Sequence, residues 1–349
     1  MYRGLIWKGM RLLRNSIGVV FSTGIFLITL PFTSCETNSP ADDNSDDLID
    51  LPGFPSFITP INEYFELQIN GDHSIDGASY HLKIGGAINS PTEFSLEELR
   101  NLEMVEKTLT VECIENPING KLLGTATWKG FNVFKLIEEL GIREGVSFVK
   151  YVCSDGYFTY NTIEELRESE IIGALYMNDE PIPEKYGFPL RILFPGYYGV
   201  RQPGWVVEIE LLSSGIRDFW GQTQFEKWNT DSSMAIDSKI FFPAKNDTII
   251  LGENVTIAGA AYGSKRISLV EVTIDDGETW MAATIKQSMD QDYVWVFWEL
   301  EFTPLSAGNL SIRARATGQD GRMQPREDFL YLDGTNGWPR VSAYVKGEG

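Results

Sequence analysis

Histidine, cysteine and positive charge are all scarce in this sequence. Its 349 residues include two histidines and three cysteines, and 29 Lys and Arg residues stand against 49 Asp and Glu. Two histidines cannot supply a histidine-rich metal site, a haem module and a catalytic triad together, and three cysteines exclude a disulfide scaffold. The net charge of −20 argues against nucleic acid as a partner.

Several familiar catalytic motifs are missing as well. The sequence contains no phosphate-binding loop, dinucleotide-binding loop, nucleophile elbow or zinc-protease helix. Hydrophobic residues are plentiful at 43%, and a chain of this length with that content predicts two folded units, each with its own core.

The N-terminus has the pattern of an export signal. A positively charged stretch at residues 3–14 precedes an apolar run at 17–30, which is shorter than the ~20 residues of a spanning helix. Small residues before Cys35 resemble the lipobox of bacterial lipoproteins. We therefore expect residues 1–34 to be an export and lipoprotein signal and Cys35 to be lipidated, with an uncleaved membrane anchor as the alternative. Both place the body on the periplasmic side.

An acidic segment follows the signal. Residues 35–56 contain five aspartates among Asn, Ser and Pro, which predicts an extended, self-repelling tether. A calcium-binding loop is disfavoured because no Gly and Glu stand at EF-hand spacing.

Two patterns divide the rest of the chain. Strand-like runs alternate with capped helices from residue 57 to 235, which predicts an α+β domain. One helix begins at a capping box at Ser95, and another at a cap on Asn161 or Thr162. Short alternating strands separated by turns fill residues 236–349 and predict an all-β sandwich of immunoglobulin size.

Cys113 is the clearest candidate functional residue. It ends a strand-like run and is followed by a polar loop rich in Asn, Pro and Gly, so its sulfur can project from a rigid strand into a cleft. A thiolate there would be a metal ligand or a nucleophile. A buried inert cysteine and a disulfide with Cys153 are the alternatives.

The residues around Cys113 resemble the molybdopterin-binding domain of the sulfite oxidase family, and the C-terminal half resembles that family's immunoglobulin-like dimerisation domain. The similar blocks occur in the family's order, at residues 113–120, 123–130, 135–141, 154–157, 177–183, 186–199, 259–263, 270–280, 313–316 and 321–325. The resemblance implies a mixed α/β cofactor domain, a molybdenum and molybdopterin cofactor, and oxygen-atom transfer.

The resemblance also implies roles for single residues. Cys113 would ligate molybdenum, and the cofactor would be bound by Asn70, Arg191, Gly199, Arg201 and Trp205. For each arginine a surface salt bridge is the alternative, and for Asn70 a turn.

Two residues in the loop after the 148–153 run are candidates for the substrate pocket. Tyr157 could donate a hydrogen bond to an oxo group or a substrate oxygen, and Asp155 could orient it; a hairpin turn is the alternative for Asp155. We expect His73 to be solvated and His81 to be a structural strand residue.

The sequence departs from sulfite-oxidising relatives at anion-binding positions. Their arginines after the ligand cysteine are replaced by residues 116–118, their His by Tyr186 and their Lys by Gly204. Each change removes a donor, which makes sulfite doubtful. A reductase of a sulfoxide or nitrate-like compound and a non-catalytic immunoglobulin-like surface binding protein remain as alternatives.

Partners can be inferred from charge and from apolar surface. No haem-binding Cys-x-x-Cys-His occurs, so electrons must pass to a separate redox carrier. The acidic body favours a basic c-type cytochrome as that carrier. The alternative is that the negative charge only keeps the protein soluble and that a quinone or membrane-bound partner accepts the electrons. Residues 294–302 are apolar on both faces, which predicts a homodimer unless one face packs on the first domain.

Overall fold

The computed structural model describes residues 49–66, 68, 73–215, 217–222, 233–328 and 334–347. The predicted signal, most of the tether, the lipidation residue Cys35 and the cofactor residue Asn70 lie outside the described residues. Residues 44–349 form one compact unit. No helix in the described parts of the chain is long and apolar enough to cross a membrane.

Two sheets form the first domain. The strands of the first sheet are β1 (His81–Gly86), β2 (Thr92–Ser95), β5 (Phe148–Cys153), β6 (Phe158–Thr162) and β10 (Val206–Leu212). Those of the second are β3 (Met104–Glu112), β4 (Leu123–Asn132), β7 (Ile172–Met177), β8 (Glu180–Pro181) and β9 (Arg191–Leu193). The strand orders are β2-β1-β10-β5-β6 and β3-β4-β7-β8, with β9 paired to β7, and β1 and β10 are parallel. The β3 strand is thus at the edge of its sheet, whereas β5 is interior.

Three short helices connect these strands: α1 (Leu96–Arg100), α2 (Val133–Glu139) and α3 (Ile163–Glu168). The predicted capping box is present at Ser95, and Thr162 rather than Asn161 caps α3, also in a capping box; each side chain accepts from the third helical amide. Each helix buries only two or three residues and ends within two turns, because so short an apolar face stabilises little helix. The predicted α+β class therefore applies only loosely, since strands dominate the domain.

The second domain is a sandwich of two sheets. Its strands are β11 (Asp237–Phe242), β12 (Thr248–Ile250), β13 (Val255–Tyr262), β14 (Ile267–Thr273), β15 (Met281–Ala282), β16 (Thr284–Gln287), β17 (Val296–Phe302), β18 (Gly308–Gly318) and β19 (Arg340–Lys346). One sheet has the order β11-β13-β17-β16 and the other β12-β19-β18-β14-β15. Side chains of both sheets, among them Trp298, Val270 and Ile312, meet in one buried core, as the alternating pattern predicts.

The strand at residues 294–302 is covered on both faces within the chain. Val296 and Trp298 lie in the sandwich core, whereas Trp295 and Phe297 pack in a second cluster with residues of the first domain such as Ile114. The interpretation of this strand as a dimer surface is therefore wrong, because the first domain covers the second face.

Backbone and side-chain hydrogen bonds join the domains at the edge of β3. The Thr110 amide donates to the Tyr293 carbonyl at 2.8 Å, and the Trp295 amide donates to Thr110 Oγ1 at 2.8 Å. The edge strand thereby gains the partner that its own sheet does not provide.

Candidate active site

A cleft of about 320 Å³ opens in the first domain at the end of β3. Six of the predicted site residues line it: Cys113, Asp155, Tyr157, Arg191, Gly199 and Trp205. Their positions lie up to 92 residues apart in sequence — between the end of β3 and the loop before β10 — so the fold is what brings them together.

Cys113 follows the last residue of β3 and reaches this cleft from a fixed backbone. Its amide donates to the Leu122 carbonyl at 2.9 Å, and its carbonyl accepts from the Asn116 amide at 2.9 Å. The residue is 6% exposed. Burial raises the pKa of the Cys113 thiol to about 11, and the carboxylates of Glu115 and Glu112 add to that rise. A thiol in this position stays protonated until a cation replaces the proton.

Cys153 has a different environment, although it also stands at a strand end. It lies 3% exposed in the hydrophobic core of the first domain. Both Cys113 and Cys153 are free thiols, so the alternative of a disulfide between them is wrong.

Arg191 brings a positive charge to the cleft on a half-buried side chain. It begins β9, its Nη1 donates to the Tyr186 carbonyl at 3.1 Å, and its guanidinium lies 5.6 Å from the centre of the Trp128 ring. Burial lowers the pKa of Arg191. Its Nε has no hydrogen-bond partner among the described residues, and an unpaired buried donor of a charged group costs free energy unless something binds it.

Trp205 offers a second donor of this kind. Its indole Nε1 is buried without a partner in the described part of the chain. Its backbone has φ of +52°, held by a hydrogen bond from the Trp205 amide to the Gly187 carbonyl at 3.0 Å. A Cβ on Gly204 would lie 2.6 Å from the Gly187 Cα, so the close crossing of these two loops requires glycine.

Arg201 is not brought into the cleft. The side chain is 1% exposed and turns inward, where Nη2 donates to the Tyr160 carbonyl at 2.9 Å and Nη1 lies 3.4 Å from Glu165 Oε1. Its guanidinium also stacks 4.3 Å from the centre of the Tyr197 ring. Arg201 does not line the cleft, so its cofactor contact stays a prediction; the alternative of a salt bridge is present, with Glu165, although the guanidinium itself is buried rather than at the surface.

Asp155 and Tyr157 form part of the cleft wall. Asp155 Oδ1 accepts from the Tyr157 amide at 3.0 Å in the turn between β5 and β6, so the hairpin alternative holds together with the cleft position. The Tyr157 hydroxyl donates to the Val200 carbonyl. Burial raises the pKa of Tyr157. This hydroxyl fixes the 199–201 turn, and its proton is already used, contrary to the expected donation to substrate.

The two histidines differ in burial. His73 is half-buried rather than solvated, because its Nε2 lies 2.6 Å from Ser154 Oγ and its ring packs edge-on at 5.9 Å from Trp205. His81 is exposed on β1.

Sequence reasoning missed several residues of the cleft. Carboxylates from Glu66 and Glu115 line it, together with Lys185, Tyr186 and Trp220. Lys185 Nζ lies 3.5 Å from Glu66 Oε2. Tyr186 could have been predicted as a cleft residue, because it stands where the resembling family carries a histidine. Its hydroxyl donates to the Tyr64 carbonyl at 2.6 Å. The other four carry no recognisable pattern.

The position where sulfite-oxidising relatives carry arginine is occupied by a residue facing inward. Asn116 is fully buried, its Nδ2 donates to Glu112 Oε1 at 2.7 Å, and its Oδ1 accepts from the Leu122 amide at 2.9 Å. It closes the loop after Cys113 instead of contacting a ligand in the cleft.

These residues fit a molybdenum cofactor. The described residues contain no group of three or more His, Cys, Asp and Glu side chains able to hold a metal ion. The cleft instead combines one thiol, a soft ligand that suits a metal delivered with further sulfur ligands, and two unpaired buried donors that suit an anionic pterin.

Two family models match the chain in succession. Residues 69–220 match the oxidoreductase molybdopterin binding domain, and residues 229–346 match the Mo-co oxidoreductase dimerisation domain. Most of the chain thus matches a molybdopterin-binding domain followed by a dimerisation domain of molybdenum-cofactor oxidoreductases, which supports an enzyme with a molybdenum and molybdopterin cofactor over a non-catalytic binding protein.

Sulfite oxidases and nitrate reductases are among the relatives of this chain. The chain is 26% identical to human mitochondrial sulfite oxidase over 83% of its own length and 62% of the relative, and 23% identical to the nitrate reductase [NAD(P)H] of barley, Hordeum vulgare, over 83% and 39%. It spans less than two thirds of the human enzyme. The fold is shared with the sulfane dehydrogenase SoxCD from Paracoccus pantotrophus at a TM-score of 0.72 and 18% identity, covering 84% of this chain and 85% of that one.

Proposed function

We propose that this protein catalyses oxygen-atom transfer to or from a small molecule, at a molybdenum centre whose protein ligand is Cys113. The observation that carries the proposal is that the Cys113 thiol, the Arg191 guanidinium and the Trp205 indole share one cleft. When bound, the cofactor supplies a metal that exchanges an oxygen atom and two electrons with the substrate.

The chain's own residues bind and orient. The strand end holds the Cys113 sulfur in place, and its proton leaves when the metal binds. Arg191 and the Trp205 Nε1 would donate to anionic or carbonyl groups of the pterin, in a site where buried charge-assisted bonds are strong. Gly199 would let the cofactor approach the backbone closely. The space beside it is open, because a Cβ built on Gly199 would have the Glu112 carbonyl oxygen, at 3.4 Å, as its nearest neighbour.

Elemental analysis tests this proposal. Protein matured in a host that makes the cofactor should contain molybdenum close to one atom per chain, and Cys113→Ser should lose it or lose all turnover. A wild-type protein that binds no molybdenum under these conditions would overturn the proposal.

Sulfite, or a related small oxyanion or sulfur compound, is the substrate that the resemblance implies. The cleft makes a second candidate specific. Three carboxylates, from Glu66, Glu115 and Asp155, line it with only two cations, Lys185 and Arg191, among the described residues. Because Arg191 is needed for the cofactor in this proposal, a dianion would meet net negative charge.

We therefore propose, as a second candidate reaction, the reduction of an uncharged oxo compound such as a sulfoxide. A nitrate-like substrate is less favoured, because it is an anion and would meet the same negative charges. Initial rates with sulfite and an oxidising dye, compared with rates for a dialkyl sulfoxide and a reducing dye, distinguish the two directions. A sulfite rate exceeding the sulfoxide rate tenfold or more would reject the sulfoxide candidate.

We propose a separate protein as the electron carrier. The sequence has no haem attachment motif, and its acidic composition would attract a basic carrier such as a c-type cytochrome. Electron-transfer rates should fall as salt rises, because screening weakens steering. Rates that do not change with salt would favour the alternative of a quinone or membrane partner.

We also propose export with lipid attachment at Cys35, on the periplasmic side, with residues 35–56 as the tether. The support is the sequence pattern alone. Cys35→Ala should block lipid labelling, and residues 1–34 should be missing from the mature chain; their presence would favour the uncleaved anchor.

A homodimer completes the proposal. Its support is the match of residues 229–346 to a dimerisation domain. The interface must lie elsewhere than β17, because both faces of that strand are covered. Light scattering at micromolar concentration should give twice the mass of the chain.

A further inference from the structure

A buried ionic cluster crosses from the second domain to the strand that ends at Cys113. We call Glu112, Asp237, Lys239 and Tyr262 the interdomain cluster. Lys239 Nζ lies 2.7 Å from Asp237 Oδ2 and 3.5 Å from Glu112 Oε1. The Tyr262 hydroxyl contacts Glu112 Oε1 at 2.5 Å and Asp237 Oδ2 at 3.0 Å. All four side chains are 1% exposed or less.

The loop after Cys113 is held by the same domain. The Ile240 amide, in β11, donates to Asn119 Oδ1 at 2.8 Å, and Asn119 Nδ2 donates to the Ile240 carbonyl at 3.3 Å. Thr335 Oγ1 donates to the Asn116 carbonyl. Residues before and after Cys113 are therefore fixed by β11 and its neighbours, not by the first domain alone.

The interdomain cluster is costly in free energy unless all of its members are present. Burial of charged groups is costly, and removing one partner of a buried ion pair leaves the others uncompensated. None of the four cluster residues lines the cleft, so the cluster does not serve to bind substrate. Its one direct link to the cleft is Glu112, the residue that precedes Cys113 in the chain.

We propose that the second domain is a structural part of the molybdenum site, with Lys239 as a positioning residue that fixes Glu112 and thereby sets the orientation of the Cys113 thiolate. The proposal rests on the assignment of Cys113 as the metal ligand. In this view β11 orients the ligand in the way that outer hydrogen bonds orient metal-bound side chains elsewhere.

Lys239→Met in the full-length, cofactor-loaded enzyme tests the proposal. Methionine keeps the length of the side chain and removes its charge, so Glu112 loses its buried counter-ion. The Mo(V) electron paramagnetic resonance signal reports the geometry of the metal–sulfur bond. We expect shifted g values and molybdenum content lowered ~10-fold, as for other outer-shell changes. A purely structural role would lower the melting temperature and leave the signal of the remaining holoenzyme unchanged.

Asn119→Gly is the second variant, in case Lys239→Met does not fold. Glycine accepts the φ of +58° at this position but loses both bonds to Ile240. Asn119→Asp keeps the acceptor for the Ile240 amide and should partly restore the wild-type signal. Gln291→Ala is the matched control, because it removes a different interdomain bond onto β3, from Gln291 Nε2 to the Thr108 carbonyl at 3.2 Å, away from Cys113.

The outcomes separate two failures. If wild-type protein shows no molybdenum signal that depends on Cys113, the proposed function fails. If that signal is present and both Lys239→Met and Asn119→Gly reproduce it with full molybdenum content, the positioning proposal is overturned while the function stands. A signal that shifts as much in Gln291→Ala as in the two variants would also overturn it.

Discussion

Cys113 and Cys153 share a local sequence pattern but differ in their environments. Each stands at a strand end, each is buried and each is a free thiol. Cys113 directly follows the edge strand β3 and lines the cleft, whereas Cys153 is the last residue of the interior strand β5 and packs in the core of the first domain. The position of the strand in its sheet, rather than the strand end itself, places one sulfur at the cleft and the other in a closed core.

Replacing the two cysteines should produce the largest difference. Cys113→Ser places a harder oxygen at the proposed metal site and should abolish molybdenum-dependent turnover, measured with dyes as electron donor or acceptor. Cys153→Ala removes one sulfur from a packed core and should cost about 1 kcal/mol of unfolding free energy while activity persists. Wild-type activity in Cys113→Ser would break the comparison, as would loss of molybdenum in Cys153→Ala.

The two arginines repeat the contrast. Arg191→Met removes one of the two cations of the cleft, the one assigned to the cofactor, and should lower molybdenum content strongly, measured by elemental analysis of purified protein. Arg201→Met should keep the cofactor but reduce stability by ~1–3 kcal/mol, because the Tyr160 carbonyl loses its donor. Denaturant titration gives the second value, and the opposite assignment of the two effects would contradict the geometry.

The sequence predicted the strand before the Cys113 loop, the capping box at Ser95, a helix cap at residue 161 or 162, and the change to a sandwich near residue 236. Local chemistry decides these features, because hydrophobic period and cap residues act over a few positions. The sequence could not separate Arg191 from Arg201, since both lie in one segment rich in Gly and Pro. What separates them is the β6–α3 region, which supplies Tyr160 and Glu165 to Arg201 alone.

The same limit applies to the apolar strand at residues 294–302. Its pattern correctly predicts two buried faces but not what covers them, because burial by another domain and burial by another chain leave the same pattern. The interdomain cluster was missed for a related reason. Glu112 and Lys239 are separated by more than a hundred positions, and neither has a local pattern that points to the other.

Trp295→Ala tests how the domains pack. The indole is buried between the domains and Nε1 donates to the Phe57 carbonyl at 2.9 Å, so its loss should cost ~3 kcal/mol of unfolding free energy. The dimer should persist, because this surface faces the same chain. Denaturant unfolding measures the stability, and light scattering measures the oligomeric state. A variant that becomes monomeric at unchanged stability would show that this strand lies in the dimer interface after all.

The last prediction concerns the rate at which Cys113 is alkylated at different pH values, measured on cofactor-free protein. Burial raises the pKa of Cys113 to about 11, so the reactive thiolate is a minor species at neutral pH and grows as pH rises toward that value. Alkylation of Cys113 should therefore accelerate about tenfold per pH unit up to about pH 10. Burial also raises the pKa of Cys153 well above its ordinary value, and with its side chain in the core it should stay unlabelled until the protein unfolds. Peptide mapping by mass spectrometry distinguishes the two sites. In the loaded enzyme the metal would hold the Cys113 sulfur as thiolate and shield it, so the pH dependence should vanish with the labelling. Equal labelling of both cysteines in the folded, cofactor-free protein would contradict the contrast between edge and interior strands.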